Sequence, residues 1–144
     1  MRIFALLAGV FVVSPAMAES ITFMTLEPGV LEQRLRLAHP KVDERYSRLK
    51  DLFSETGCAG LKEQAVRGSK QPNLICSSPG DENAGRIVVG AHYDSYGGDG
   101  VIDNWTGAIL LPSLGRFIRE KKRRHEFEFV AFAAEEKGLY SSRA

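Results

Sequence analysis

Cysteine is scarce in this chain of 144 residues: there are two, Cys58 and Cys76. A thiolate zinc site needs a second pair to reach four ligands, so that class is excluded. An excess of one charge is missing too. Nineteen Lys and Arg stand against eighteen Asp and Glu, a formal net charge of +1. No global field therefore draws the chain to nucleic acid or to an anionic membrane. The chain also lacks a long hydrophobic run. The apolar stretch Ile3 to Val13 is far short of the roughly 20 residues that cross a bilayer. There are no internal repeats and no low-complexity tract, and the Gly97-Gly98-Asp99-Gly100 loop matches no phosphate-loop spacing. What remains is ordinary globular composition, 44% hydrophobic and 26% charged, with length for one domain.

The apolar run is informative in its context. Met1-Arg2 gives it a positive start, Ser14-Pro15 breaks it, and Ala16-Met17-Ala18 supplies a small-x-small cleavage site. Residues 1–18 thus read as a signal peptide, and the mature chain is expected to begin at Glu19 in a secreted or periplasmic setting. No membrane association is expected after cleavage. Export into an oxidising compartment favours a Cys58–Cys76 disulfide over two free thiols.

Periodicity outlines the elements. Pro28 opens a helix at its first turn, and His39-Pro40 ends it. Val42, Tyr46, Leu49 and Phe53 form one helical stripe that Gly57 stops. Leu61 to Val66 and Asn73 to Ser77 read as short strands; paired antiparallel, they bring Cys76 near Cys58. Arg86 to Tyr93 is apolar almost throughout, as in a strand buried on both faces. Asn104 to about Lys121 reads as a helix that Pro112 is expected to kink or split. Phe127 to Ala133 is a second buried strand, and Gly138 to Ala144 could begin another helix. Strand, helix, strand is a βαβ unit with a parallel pair, placing the chain in the α/β class.

In such sheets ligands bind beyond the carboxyl ends of the strands. His92-Tyr93-Asp94 follows the first strand there, Glu135-Glu136 follows the second, and Asp103 opens the crossover helix. Imidazole nitrogen and carboxylate oxygen are zinc donors. One carboxylate can bridge two ions, and a second, free of metal, can take the proton from a hydrolytic water. Each residue alone has a bland reading. Asp103 could be a helix cap, and a Glu pair is commonly solvated surface. By physics alone metal binding and the bland readings both stand.

The stretches GAHYDSYGGDGVIDNWTGA and FVAFAAEEKGLYSSRA, within Pro72 to Ala144, resemble the peptidase family containing di-zinc bacterial aminopeptidases and glutamate carboxypeptidases. Gly90 to Ser95 matches its GxHxDS, Asp103 to Gly107 its D-x-x-[ST]-G, and Glu135 to Ser142 its EExGLxGS, with Ser141 replacing the second glycine. The resemblance implies a mixed, mainly parallel sheet with helices on both faces, a three-layer α/β/α fold of which residues 19–144 are the N-terminal part. It implies a zinc-dependent, aminopeptidase-like exopeptidase acting on peptide substrates, with two zinc ions in the complete site. His92 and Glu136 would ligate zinc, Asp103 would bridge the ions, and the peptide bond after Asp103 is often cis in the family. Asp94 would orient His92, and Glu135 would be the general base on the water between the ions. The family takes a further Asp and His from downstream. Only eight residues follow Glu136, none of them Asp or His, so the expectation is an incomplete, inactive site.

Two other readings compete: a single-zinc transferase resembling glutaminyl cyclase, and a non-catalytic remnant. His39 and His125 fit no site. Arg119 to Arg124 reads as the solvated end of a helix rather than a nucleic-acid patch, since it has no aromatic platform. Trp105 could line a pocket, but core is the plainer reading.

Overall fold

A computed structural model describes Phe23, residues 25–81 and residues 84–144. The expected signal peptide lies outside the described residues. Helix α1 (Pro28–Leu35) starts with proline in its first turn, where a missing N–H costs nothing. Helix α2 (Val42–Glu55) buries Arg45, Leu49, Leu52 and Phe53. Gly57 follows it with φ +82°, the left-handed conformation that ends helices. Among the described residues no helix is long and apolar enough to cross a membrane.

Four strands follow: β1 (Lys62–Gln64), β2 (Asn73–Ser78), β3 (Arg86–His92) and β4 (Glu126–Phe132), ordered β1-β2-β4-β3. The sheet is mixed. β1/β2 and β2/β4 are antiparallel, and β3/β4 is parallel. Helix α3 (Thr106–Arg119) is the crossover between the parallel strands. It packs on β2, β3 and β4, and α1 and α2 pack on α3. The described helices thus cover one face of the sheet, and the second helical layer is not among the described residues.

The core lies between α2, α3 and that face. It contains Leu49, Phe53, Leu74, Trp105, Ile109 and Phe129, none more than 1% exposed. Each such side chain contributes about 1.5–3 kcal/mol by its removal from water. Cys58 and Cys76 are joined at the edge of this core, with Cα atoms 6.1 Å apart.

Three expectations need correction. β3 is not buried on both faces: it is the outer strand, with Ile87 39% and Val88 55% exposed, and only Ala91 and His92 are buried. Among the described residues it borders β4 alone, and no described helix covers its second face. Pro112 does not split α3, which runs unbroken from Thr106 to Arg119. Proline deprives the Ala108 carbonyl of its usual partner, but Ala108, Ile109, Leu111 and Pro112 are all buried. Their packing outweighs the lost bond. Finally, Gly138 to Ala144 does not begin an α-helix; a single tight turn, Ser141–Arg143, forms there.

Candidate metal centre

The site is built where the two parallel strands end. His92 is the last residue of β3 and pairs with Phe132, the last of β4. The Tyr93 amide then donates to the Phe132 carbonyl at 2.8 Å, so the two chains leave the sheet side by side. This register carries Asp94 toward Glu135 and Glu136. Both Asp94 carboxylate oxygens accept main-chain N–H groups, from Glu135 and Glu136, each at 3.1 Å. Asp94 is 4% exposed. A buried carboxylate with two N–H donors thus ties one strand end to the other and fixes the paired glutamates.

The third arm is the turn Val101–Trp105 at the head of α3, where Asp103 and Asn104 leave the helical conformation. The Asp103–Asn104 peptide bond is cis, as the resemblance implies. The Asp103 carboxylate faces His92, and the residue at the N-cap of α3 is Trp105. Two glycines allow the turn. A Cβ at Gly107 would lie 2.4 Å from Asn104 Oδ1 and 3.0 Å from Ala91 Cβ, so α3 could not approach β3 as closely. Gly100 has φ +47°, and a Cβ there would meet Ser95 Oγ at 2.4 Å and the Asp103 carbonyl at 2.7 Å.

These arms converge on the imidazole of His92, which is 8% exposed. Nε2 lies 2.9 Å from Asp103 Oδ1 and 3.9 Å from Glu135 Oε2. Nδ1 lies 3.2 Å from the Asp94 main-chain carbonyl and 3.5 Å from Asp94 Oδ1. His92, Glu135 and Glu136 each offer a donor atom within 4.8 Å of the others. Asp103 stands at the rim, touching His92 with one oxygen while its side chain is 79% exposed. His39 and His125 are elsewhere: His39 Nδ1 accepts the Lys41 amide, and His125 Nδ1 faces the Gly85 carbonyl.

The donors fit a divalent metal. One nitrogen and three carboxylates is a set that zinc accepts. Nδ1–H can donate to the Asp94 carbonyl, which leaves the Nε2 lone pair on the side of the acids. That is the usual orientation of a ligating histidine.

Sequence reasoning missed Arg45. It is buried in α2 at 0% exposure and donates to the carbonyls of Tyr93, His39, Asp99 and Gly100. A signal was there: Arg45 falls on the same helical face as Leu49 and Leu52, where a cation needs partners. Trp105 is core, fully buried, its indole N–H donating to the Arg34 carbonyl at 2.9 Å. Arg119, read as solvated, instead reaches inward to the Thr56 carbonyl and to Cys76 Sγ.

Relatives carry the same stretch. The chain is 34% identical over 93 residues to N-carbamoyl-L-amino-acid amidohydrolase of Paenarthrobacter aurescens, covering 61% of this chain and 23% of that protein. It is 32% identical over 71 residues to leucine aminopeptidase 2 of Trichophyton rubrum, covering 49% of this chain and 14% of that one. It spans less than a quarter of these curated relatives. The LapA aminopeptidase of Legionella pneumophila superposes with a TM-score of 0.61 at 25% identity, over 80% of this chain and 34% of LapA. The model of peptidase family M28 matches residues 73–144, which hold β2, β3, α3, β4 and all five converging residues, four acids and one imidazole, and on that match the chain belongs to peptidase family M28.

Proposed function

We propose that this chain carries part of the catalytic site of a zinc-dependent exopeptidase of aminopeptidase type. The observation behind the reading is the convergence on His92. Glu135 and Glu136 offer donor atoms within 4.8 Å of it and of each other, and Asp103 Oδ1 lies 2.9 Å from Nε2. His92, Asp103 and Glu136 would hold zinc, with Asp103 shared between two ions in a completed site. Bound zinc would supply Lewis-acid polarisation of the scissile carbonyl and of water.

The rest of the chemistry falls to the chain. Glu135, half-buried beside His92, takes a proton from the attacking water and returns it to the leaving amine. Asp94 keeps Glu135 in place through its main-chain amide and holds the neighbouring Glu136 the same way. His92 keeps its Nδ1 proton on the Asp94 carbonyl, so that Nε2 stays free to ligate. Export through a signal peptide over residues 1–18 belongs to the same reading, and the Cys58–Cys76 bridge supports it.

Residues 1–144 offer three of the five ligands that the family resemblance implies, and a further Asp and His would complete the set. By themselves these residues should be inactive. The test is an assay on aminoacyl anilides with added zinc. No turnover is expected. Robust turnover lost on Glu135→Gln would overturn the incompleteness and uphold the base. Two zinc ions per completed site would separate this reading from a single-zinc transferase.

A further inference from the structure

Arg45 stands apart from ordinary buried cations in what it touches. Among the described residues its hydrogen bonds go to four main-chain carbonyls and to no carboxylate. Nε donates to Tyr93, between His92 and Asp94. The Nη groups donate to His39, Asp99 and Gly100. The guanidinium also lies 5.0 Å from the centre of the Trp105 ring, a cation–π contact two residues beyond Asp103. One side chain therefore grips the strand end that carries His92 and, separately, both flanks of the turn that carries Asp103. The Trp105 amide, bonded to the Gly100 carbonyl at 3.0 Å, closes that turn on itself.

A planar fork with donors in several directions suits this task, and an ammonium does not. Burial lowers the Arg45 pKa, while the charges of Asp94 and Asp99 oppose that shift. Four aligned carbonyl dipoles and those acids offset the cost of burying the charge. Arg45 lies outside residues 73–144, the part that matches the family model. Helix α2 thus brings something that the βαβ unit lacks, a cross-brace between two of its loops.

We propose that Arg45 is a positioning residue that sets the separation between His92 and Asp103 and so tunes the metal affinity of the site. It touches neither residue's side chain and acts through the Tyr93 and Asp99–Gly100 carbonyls and the Trp105 ring. The metal part rests on the zinc reading above; the bracing part does not.

The test compares the chain with its Arg45→Lys variant and with Leu52→Ala, a core truncation in the same helix whose side chain donates no hydrogen bond to the loops. Trp105→Phe, which shrinks the stacking surface, serves as a milder second probe should Arg45→Lys fold poorly. Two quantities are read in each folded protein: zinc affinity by calorimetric titration, and amide exchange across residues 94–105. The expected result is at least tenfold weaker zinc binding in Arg45→Lys, with faster exchange confined to those residues. Trp105→Phe should shift both in the same direction by less, and Leu52→Ala should leave both unchanged. Wild-type affinity and exchange in Arg45→Lys would overturn the proposal. So would an equal loss of zinc in Leu52→Ala, since the effect would then be general destabilisation. If residues 1–144 alone bind no zinc, as two absent ligands would allow, exchange alone decides the brace: protection kept in Arg45→Lys overturns it, and protection lost only over residues 94–105 upholds it.

Discussion

Replacing Asp94 by asparagine should destabilise the fold before any chemistry is considered. The Asp94 carboxylate accepts the Glu135 and Glu136 amides, both at 3.1 Å, and is 4% exposed. A hydrogen bond to a charged group is worth about 1.5–3 kcal/mol, and a neutral one about 1 kcal/mol. Asparagine keeps one acceptor and turns an NH2 toward the other amide. One charge-assisted bond is lost and the second becomes neutral, so the expected cost is about 2–5 kcal/mol. Arg45 loses a nearby negative charge in the same step. Trp105, the single tryptophan, is fully buried, so its fluorescence in a urea titration reports the transition. A shift below about 0.5 kcal/mol would refute the view that Asp94 joins the two strand ends, because it falls under the value of even one such bond.

Reducing the Cys58–Cys76 bridge, which spans a sequence separation of 18, should cost about 3 kcal/mol by the chain-entropy estimate; mass change and urea midpoint with and without reductant check this. Tyr93 is fully buried and donates to the Pro72 carbonyl at 2.6 Å, and burial raises its pKa. Its folded pKa lies above the unfolded value of about 10, so the neutral phenol stabilises below that pH and its contribution fades as pH rises beyond it. Stability should therefore fall by up to about 1.4 kcal/mol per pH unit above pH 10, and Tyr93→Phe should flatten that slope; an unchanged slope contradicts it. Gly107→Ala places a Cβ 2.4 Å from Asn104 Oδ1 and should cost about 1–3 kcal/mol as the turn shifts, read from the same urea titration.

The parts of the sequence that could be read were those with a strong local pattern. The stripe of α2 was legible from its spacing, and so was the alternation of strand, helix and strand around the site. His92, Asp94, Asp103, Glu135 and Glu136 could be placed at one sheet end because topology, not side-chain detail, brings them there. Burial was less legible. The apolar run of β3 does not say which strand is outermost, and the order β1-β2-β4-β3 leaves it with a single neighbour. Pro112 looked like a helix breaker because a proline rule is local, whereas the packing of α3 on three strands is not. Arg45 was hidden for the same reason: its four acceptors lie at His39, six residues away, and at Tyr93 and Asp99–Gly100, 48 to 55 residues away. Asp94 was expected to orient His92. It presents its main-chain carbonyl at 3.2 Å and its carboxylate at 3.5 Å, and spends that carboxylate's hydrogen bonds on the two glutamate amides.

The central claim is a division of labour at the strand ends, with His92 and Glu136 holding metal and Glu135 moving a proton. Zinc affinity of the chain and of three variants, measured by calorimetric titration, tests it most directly. A ligand must touch the ion and a base need not, so His92→Ala and Glu136→Gln should each weaken binding at least tenfold, while Glu135→Gln stays near the wild-type value. Equal losses in Glu135→Gln and Glu136→Gln would contradict the assignment, and zinc binding that survives His92→Ala unchanged would place the metal somewhere else.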